Sequence, residues 1–318
     1  MRIAIAVPPS AAPRGGNVHT AARWAGFLRA LGHRVRIVTR WRKGNDDLLL
    51  ALHARKSYHS ILRFSEEKPS APIVLALTGT DLYRDIHSDP QARQSLGLAA
   101  RLIVLQEEGL RELSPFLRSK TGIVYQSAAV SLSHAPGKTP FRVAVIGHLR
   151  EEKDPFRAVL ALRRIERDTP VELLQIGGAL VPEMRVRAQG WRRIERRYRW
   201  LGSKEHKTTM RLLASSHVLV VSSVMEGGAN VICEAARIGV PVLASKVPGN
   251  VGMLGRDYPG YFPLHDDRAL ARLIERARTD ATFYKRLKSA VRRRRGLFSP
   301  ASERAALKRA LSGLKRRS

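Results

Sequence analysis

Residues 218–236 read VLVVSSVMEGGANVICEAA, a pattern that indicates a strand, a glycine turn and a helix in succession. The opening run VLVVS is typical of a parallel strand that is covered on both faces. Gly227 and Gly228 mark the turn, and the helix is expected to begin near Ala229 or Asn230. Glycines at a helix N-terminus let backbone N–H groups approach an anion, and the helix dipole favours negative charge there. This stretch therefore predicts an α/β unit with an anion site at its turn.

The same alternation of strands and helices extends along the chain in both directions. Predicted strands are Arg2–Val7, Val35–Thr39, Leu48–Leu52, Ile73–Leu77, Leu102–Leu105, Gly122–Tyr125, Arg142–Ile146, Val171–Ile176, Val218–Ser222 and Pro241–Ala244. Between two of them, Ala21–Leu31 has apolar residues at helical spacing, and the glycine that follows it, Gly32, is a typical helix end. This repetition predicts doubly wound parallel sheets, in which ligands bind beyond the carboxyl ends of the strands.

The length of 318 residues suggests two domains. Ser131–Pro140 is rich in serine, proline and glycine, and the pattern of strands restarts at Phe141. We therefore expect a Rossmann-like domain at 1–135, a second one at 136–300 and a basic helix at 301–318. Two such domains facing across a cleft would place a ligand site in that cleft.

The chain carries 57 Lys and Arg against 27 Asp and Glu, a net charge of +30. This charge permits binding to nucleic acid, an anionic membrane or phosphorylated small molecules, and does not choose among them. We recognise no nucleic-acid-reading module, so nucleic acid is not expected as the main partner. The largest concentrations of arginine, at 185–199 and in the C-terminal tail, lie outside the motifs discussed below.

Cysteine content and hydropathy exclude several further classes. A single cysteine excludes a disulfide framework and a cysteine-based zinc site. The apolar runs are far shorter than the ~20 residues of a membrane-spanning helix. The N-terminal run is too short for a signal peptide, which predicts a cytoplasmic protein. His19, His53 and His87 match no metal-ligand spacing, so no metal is expected.

Two segments carry acidic and basic residues suited to a sugar nucleotide. Glu226 and Glu234 stand eight positions apart, one in the turn and one inside the helix. Such acids can accept hydrogen bonds from hydroxyls at opposite ends of a sugar nucleotide, or they can be incidental to an ordinary turn. GHLREEKDP at 147–155 follows the strand before it, and its Arg150 and Lys153 could neutralise a leaving diphosphate without a metal.

Both segments resemble the retaining GT-B glycosyltransferases of glycosyltransferase family 4. The spacing of the two glutamates, with two glycines after the first, matches that family, and 147–153 is similar to its G-R-L-x-x-x-K segment. The resemblance implies that Glu226 contacts the donor sugar, Glu234 the ribose and Lys153 the diphosphate. His148 stands where the family has arginine, and Arg150 could supply the missing guanidinium. Trp200-Leu201-Gly202 resembles the segment that holds the nucleotide base.

Two loops of the N-terminal half follow predicted strands and complete the expected site. The glycine loop at 13–20 is of the kind that reaches the cleft in GT-B enzymes, and Thr78-Gly79-Thr80-Asp81 lies where family members place acceptor-side or catalytic groups. Asp81 could orient a nucleophile, or Thr80 or Asp81 could cap the next helix. The resemblance implies catalytic roles for Glu226, Lys153, Arg150 and Asp81. The residues expected to bind the donor are Gly15, Gly16, Asn17, Gly147, His148, Leu201, Gly227, Gly228, Ala229, Asn230 and Glu234. Those expected to bind the acceptor are Arg14, Thr20, Thr78, Gly79 and Arg84.

Several longer sequence segments resemble one subgroup of this family, the selenosugar synthases of selenoneine biosynthesis. Among them are GNVHTAARWAGFLRALGHRV at 16–35, LTGTDLYRDI at 77–86 and MEGGANVICEA at 225–235. This resemblance implies transfer of a sugar from UDP-GlcNAc or UDP-glucose to the selenium of selenophosphate, giving a 1-selenosugar with no cofactor. Selenophosphate is a polyanion and a good nucleophile, so such a site needs positive potential and exclusion of water more than a strong base.

Two other enzyme classes stay open on the sequence. One is a GT-B glycosyltransferase that acts on a lipid or polysaccharide hydroxyl and docks on an anionic membrane through its basic tail. The other is a UDP-sugar epimerase, which can share the two-domain fold and needs no acceptor.

Overall fold

The computed structural model describes residues 1–8 and 15–314 and contains two compact α/β units. The first unit takes the described residues up to Gln126, the short segment Glu226–Gly228 and the residues from Pro300 onward. The second unit takes Ser127–Met225 and Ala229–Ser299. Each unit contains one six-stranded sheet, and every pair of neighbouring strands is parallel. This architecture confirms the predicted α/β fold with two Rossmann-like domains.

In the first unit the sheet order is β2-β1-β3-β4-β5-β6. Its elements are β1 (Arg2–Ala6), α1 (Gly16–Ala30), β2 (Arg34–Val38), β3 (Leu48–Leu52), α2 (Tyr58–Glu67), β4 (Ile73–Leu77), α3 (Ile86–Ser88), α4 (Pro90–Leu98), β5 (Arg101–Val104), α5 (Pro115–Ser119) and β6 (Thr121–Ile123). A π-helical turn, Asp81–Asp85, connects β4 to α3.

In the second unit the order is β12-β11-β10-β7-β8-β9. Its elements are β7 (Phe141–Ile146), α6 (Arg157–Leu162), β8 (Val171–Ile176), α7 (Pro182–Ile194), β9 (Tyr198–Gly202), α8 (His206–Ala214), β10 (Val218–Val221), α9 (Asn230–Ile238), β11 (Val242–Ser245), α10 (Pro248–Leu254), β12 (Tyr261–Phe262), α11 (Asp267–Thr279) and α12 (Ala281–Arg294). The last helix, α13 (Pro300–Leu311), returns to the first unit.

The first sheet buries both of its faces, which is why its strands are almost continuously aliphatic. β3 reads LLLAL and β4 reads IVLAL, and every residue of both strands is buried. Successive side chains of a strand point to opposite faces, so they enter two different cores. Leu49 and Leu75 join the core that contains α2 and α4, whereas Leu48 and Val74 join the core that contains α1 and α13.

Helix α1 begins five residues earlier than its apolar spacing predicts, at Gly16. Its C-terminal end agrees with the sequence, because Leu31 is the C-cap residue and Gly32 has φ of 85°. Glycine adopts this left-handed conformation at little cost, which ends the helix and sends the chain into β2.

Helix α13 is fixed to α1 by a buried carboxylate. Glu303 is 0% exposed and accepts hydrogen bonds from Trp24 Nε1 and Arg23 Nε, both at 2.7 Å. Its neighbours Leu307 and Leu311 enter the same core as Trp24. A buried charge needs partners of this kind, since desolvation of an unpaired carboxylate is costly. The C-terminal helix therefore contributes to the core of the first unit.

Two strands of the second unit, β9 and β12, have no aliphatic run that predicts them. β9 reads YRWLG and lies at one edge of the sheet. An edge strand is less enclosed than a central one, so it does not need a continuous aliphatic run. β12 is two residues long and forms the opposite edge. Both strands are recruited by pairing with β8 and β11 rather than by their own composition.

Replacing Glu303 with alanine is expected to lower the free energy of unfolding by about 3 kcal/mol. The change leaves Trp24 Nε1 and the Arg23 guanidinium without their acceptor in a buried environment. Urea denaturation followed by circular dichroism measures the loss. Glu66→Ala removes an exposed carboxylate from α2 and is the matched control, expected to change stability by about 0.5 kcal/mol or less. Equal effects of the two variants would contradict the role given to Glu303.

Candidate active site

The carboxyl ends of β7, β8 and β9 are joined through glycines. Gly147 N–H donates to Ile176 O at 2.9 Å, and Gly177 N–H donates to Gly202 O at 2.8 Å. A side chain at Gly177 would collide with the carbonyl oxygen of Gly147, and Gly177 also has φ of 152°. Glycine is required here because the two backbones touch. Trp200 Nε1 donates to Gly177 O at 2.8 Å and fixes β9, with half-buried Leu201 next to it.

Two of the predicted donor-binding side chains have buried polar atoms without a hydrogen-bond partner. These atoms are Nδ1 of His148, after β7, and Oδ1 of Asn230, the first residue of α9. Ala229 is the N-cap residue and supplies no side-chain cap. Buried polar atoms are nearly always paired in folded proteins, and an unmade bond costs about 1–3 kcal/mol. The unpaired atoms of His148 and Asn230, one in each predicted donor segment, indicate a site for a polar ligand.

The Arg150–Lys153 segment is fixed to the residues that follow β10. Ser222 Oγ lies 3.1 Å from the carbonyl oxygen of Lys153 and 2.9 Å from that of Asp154, so its one proton is shared between two acceptors. Val224 N–H donates to Glu152 O at 2.9 Å. These bonds tie the predicted diphosphate segment to the chain that leads into the predicted sugar segment.

Within this segment, the side chain of Arg150 is exposed and has no carboxylate partner among the described residues. Asp154 adopts a left-handed conformation with φ of 41° and accepts hydrogen bonds from Arg157 Nε at 2.8 Å. The segment therefore offers the exposed guanidinium of Arg150 at the carboxyl end of β7.

Glu234 lies in the first half of α9, and its carboxylate contacts a histidine that the sequence motifs do not include. His206, the first residue of α8, has Nε2 at 2.9 Å from Glu234 Oε1. The hydrogen bond to Glu234 raises the pKa of His206 above its ordinary value, and partial burial opposes this shift. At neutral pH a larger fraction of His206 is therefore protonated than for an isolated histidine, and the protonated form pairs with the Glu234 carboxylate.

Glu226, Gly227 and Gly228 group with the first unit, against the loop that follows β4. A side chain at Gly227 would collide with the carbonyl oxygen of Thr78 and lie 2.7 Å from the nitrogen of Gly79. Glu226 is 8% exposed, and its charge contributes to raising the pKa of the Tyr83 hydroxyl, although burial of that hydroxyl is the larger cause. The predicted sugar-contacting glutamate thus shares an environment with the TGTD loop.

Asp81 is fully buried and holds the backbone of that loop. Its Oδ1 accepts from the N–H groups of Thr78 and Gly79, both at 2.9 Å, and its Oδ2 accepts from Ala54 N–H at 2.9 Å. These three hydrogen bonds hold the backbone of the TGTD loop in place. The catalytic role of Asp81 stays a prediction.

His53 joins the same loop, although the sequence suggested no specific role for it. It is buried at the end of β3 with φ of 78°, an uncommon conformation for a residue with a side chain. Lys56 N–H donates to Nδ1 at 3.3 Å, so the proton is on Nε2, which lies 3.0 Å from Thr80 Oγ1. Burial lowers the pKa of His53, and nearby Asp81 partly opposes this, so the ring is neutral at neutral pH.

Thr20, predicted to bind the acceptor, is also structural. Its buried hydroxyl donates to Gly16 O at 2.9 Å and accepts from Gln126 Nε2 at 2.5 Å. The single proton of Thr20 is committed to Gly16, so the amide nitrogen of Gln126 must face Thr20. The amide oxygen of Gln126 then has no hydrogen-bond partner and lies against Gly228. Gln126 was not among the predicted residues, because no motif contains it.

The remaining predicted residues of the first unit have simpler surroundings. Gly15 is the N-cap of α1, with no side-chain cap, and Gly16 and Asn17 form its first turn, so backbone N–H groups are presented there. Arg84 is half exposed and forms an ion pair with Asp85 at 2.9 Å. Arg14 lies outside the described residues.

Within residues 1–8 and 15–314, no helix is long and apolar enough to cross a membrane. The same ranges contain no group of three His, Cys, Asp or Glu side chains placed to hold a metal ion.

The family described as glycosyl transferases group 1 matches residues 131–294, just over half of the chain. The structure is similar to Anabaena Alr3699/HepE in complex with UDP and glucose, with a TM-score of 0.77 and 17% identity over 98% of this chain and 99% of that one. It is similar to sucrose-phosphate synthase from Thermosynechococcus elongatus, with a TM-score of 0.77 and 18% identity over 97% of each chain. A glycosyltransferase from Rickettsia africae matches with a TM-score of 0.74 and 13% identity over 98% of this chain and 99% of that one. These matches confirm the predicted GT-B fold.

Gly227→Ala is expected to destabilise the protein by about 1–3 kcal/mol and to reduce turnover, because the added methyl group collides with the Thr78 carbonyl. Gly190→Ala in α7 is the control, since nothing lies within 4 Å of the position a methyl group would take there. This control is expected to be neutral or stabilising by up to about 1 kcal/mol. Thermal unfolding and an assay of glycosyl transfer measure the two effects. Full activity of Gly227→Ala would show that this close approach is not needed.

Proposed function

Since the chain belongs to the group 1 family of glycosyl transferases, we propose that it transfers a sugar from a UDP-sugar to selenophosphate. The product is a 1-selenosugar, and the donor is UDP-GlcNAc or UDP-glucose. The observation that carries the donor half is the tie through Ser222 between the Lys153 segment and the residues after β10. The selenium half is supported by the resemblance of sequence segments in both units to selenosugar synthases.

In this proposal the second unit binds the nucleotide. The complex of HepE with UDP and glucose supports a UDP-sugar as donor. Glu234 accepts a hydrogen bond from a ribose hydroxyl, and backbone groups near Leu201 hold the base. Lys153, Arg150 and the N-terminus of α9 stabilise the diphosphate. The orphaned atoms of His148 and Asn230 are satisfied by the donor when it binds.

The proposed reaction requires a leaving group with two phosphates to depart from the anomeric carbon. A selenium lone pair forms the new bond to this carbon while its bond to the UDP oxygen breaks, and UDP takes that electron pair. Hydrolysis of the selenium–phosphorus bond then releases phosphate and leaves the 1-selenosugar. Lys153 and Arg150 offset the negative charge that develops on UDP, which serves in place of a metal ion. Glu226 orients the sugar hydroxyls.

On the acceptor side, the proposal uses groups of the first unit. The N-terminus of α1 at Gly15 and Gly16 presents backbone N–H groups to an anion, and the helix dipole adds to its attraction. Arg14 and Arg84 are the cations proposed to contact selenophosphate. Asp81 and His53 hold the loop that contains Thr78 and Gly79 in place.

The direct test is to incubate the purified protein with UDP-GlcNAc or UDP-glucose and selenophosphate and to analyse the products by mass spectrometry. We expect UDP and a selenosugar to form together, and only when both substrates are present. UDP release that ignores selenophosphate and requires a lipid or glycan acceptor would replace this proposal with a hydroxyl-directed glycosyltransferase. Conversion of the UDP-sugar to its epimer without any acceptor would indicate an epimerase.

Lys153→Met is expected to lower kcat by about 100-fold or more, because the cation that neutralises departing UDP is lost while the apolar stem remains. Lys285→Met removes an exposed lysine from α12, outside the site, and is expected to retain wild-type activity. Steady-state kinetics with each variant, together with circular dichroism to establish folding, give the comparison. A well-folded Lys153→Met protein with near-normal kcat would mean that the diphosphate site is misplaced.

A further inference from the structure

His206 is joined to the predicted ribose-binding carboxylate by a single well-formed contact. Its Nε2 lies 2.9 Å from Glu234 Oε1, and the two residues come from the adjacent helices α8 and α9. The His206 side chain is 68% exposed, whereas that of Glu234 is 16% exposed. A mostly exposed side chain therefore covers one oxygen of a mostly buried carboxylate.

The other oxygen of that carboxylate is open. Among the described residues, Glu234 Oε2 accepts no hydrogen bond, and no ion pair of Glu234 other than that with His206 is present. A carboxylate has two oxygens and can accept several hydrogen bonds. Holding Oε1 fixes the plane of the carboxylate and leaves Oε2 to accept from a ligand hydroxyl. His206 therefore supports the carboxylate through Oε1, and Oε2 is the atom that can bind a ligand.

The charged groups around the pair do not compete for it. On the α8 side these are Lys204, Glu205 and Lys207, which neighbour His206 in the sequence. On α9 the charged residue closest in sequence is Arg237, three positions after Glu234. Within the described residues none of these four side chains forms an ion pair with either member, so the contact with Glu234 dominates the electrostatic environment of His206.

We propose that His206 is a positioning residue for donor binding, which orients Glu234 so that its Oε2 meets a ribose hydroxyl of the UDP-sugar. This inference rests on the proposed function and adds a residue that acts through Glu234 without touching the donor itself. His206 makes donor affinity depend on pH, because a charged imidazolium is a stronger donor to the carboxylate than a neutral ring.

The direction of this dependence follows from the contact. The hydrogen bond to Glu234 raises the pKa of His206 above its ordinary value. The charge-assisted bond is therefore fully present below the ordinary histidine pKa of about 6.5 and is lost as the pH rises through the raised pKa. The KM for the UDP-sugar should rise over that interval, whereas kcat should not follow it.

The experiment compares wild-type protein with His206→Ala and His206→Gln. Donor KM and kcat are measured from about pH 5.5 to pH 9, a range that brackets the histidine pKa. His206→Ala should raise the donor KM about five-fold at low pH, the scale of one lost hydrogen bond, and abolish its pH dependence. His206→Gln keeps a neutral donor near Oε1, so it should restore part of the affinity while staying independent of pH. His59→Ala, on the exposed side of α2, is the control and should behave as wild type.

Binding of UDP alone, measured by calorimetry, separates this inference from the proposed function. If Glu234→Gln weakens UDP binding and the His206 variants retain wild-type KM and pH dependence, the inference is overturned and the donor site stands. If Glu234→Gln leaves UDP binding unchanged, the assignment of the donor site fails, and this inference fails with it. A purely structural role of His206 would lower stability without removing the pH dependence of KM.

Discussion

β7 and β10 pair in parallel at the centre of the second sheet, with Val145 opposite Val220, and this pairing decides where the functional loops meet. Parallel strands deliver the chains that follow them to the same edge. Beyond that edge, polar backbone groups leave the sheet and must find new partners. Ser222 Oγ and Val224 N–H supply these partners to the carbonyls of the 152–154 turn. The 152–154 turn and the residues that follow β10 are thereby held together, although Lys153 and Ser222 are 69 positions apart in the chain.

In the first unit, side chains also hold the loop that follows a strand. The loop after β4 is held by the buried carboxylate of Asp81, which accepts from three backbone N–H groups. His53 adds a bond to Thr80 and adopts a left-handed conformation to do so. Backbone strain of this kind costs about 1–3 kcal/mol and persists where the surroundings enforce it. The strained residue therefore follows β3 and supports the loop after β4, against which Gly227 packs closely.

Among the described residues, buried side-chain atoms without a hydrogen-bond partner occur near the candidate binding segments, and also at Arg23, His134, Arg237 and Asn250. In the described part of the chain, unpartnered buried atoms include Nδ1 of His148, Oδ1 of Asn230 and Oε1 of Gln126. All three lie beside glycine turns or helix starts that the sequence assigns to substrate binding or that contact such a turn. Local violations of good packing are expected at functional sites, because a site must keep polar atoms for its ligand. In the Glu234–His206 pair, one carboxylate oxygen contacts His206, and the other accepts no hydrogen bond among the described residues.

The amino-acid sequence predicts the fold class, the aliphatic strands and the segments that match the glycosyltransferase family. It could do so because buried parallel strands need continuous aliphatic residues, and because the glycine turn and paired glutamates are local patterns. Folding engages Asp81 and Thr20 with backbone groups around them, completes the first core through Glu303 of α13 and brings His206 to Glu234. Trp24 and Glu303 are 279 positions apart and His206 and Glu234 are 28 apart, so no local sequence pattern predicts these two pairs. For Asp81 and Thr20 the deciding property is which of their polar atoms are already hydrogen-bonded. The order of residue types does not specify these contacts, because which hydrogen-bonding atoms are already occupied depends on the folded structure.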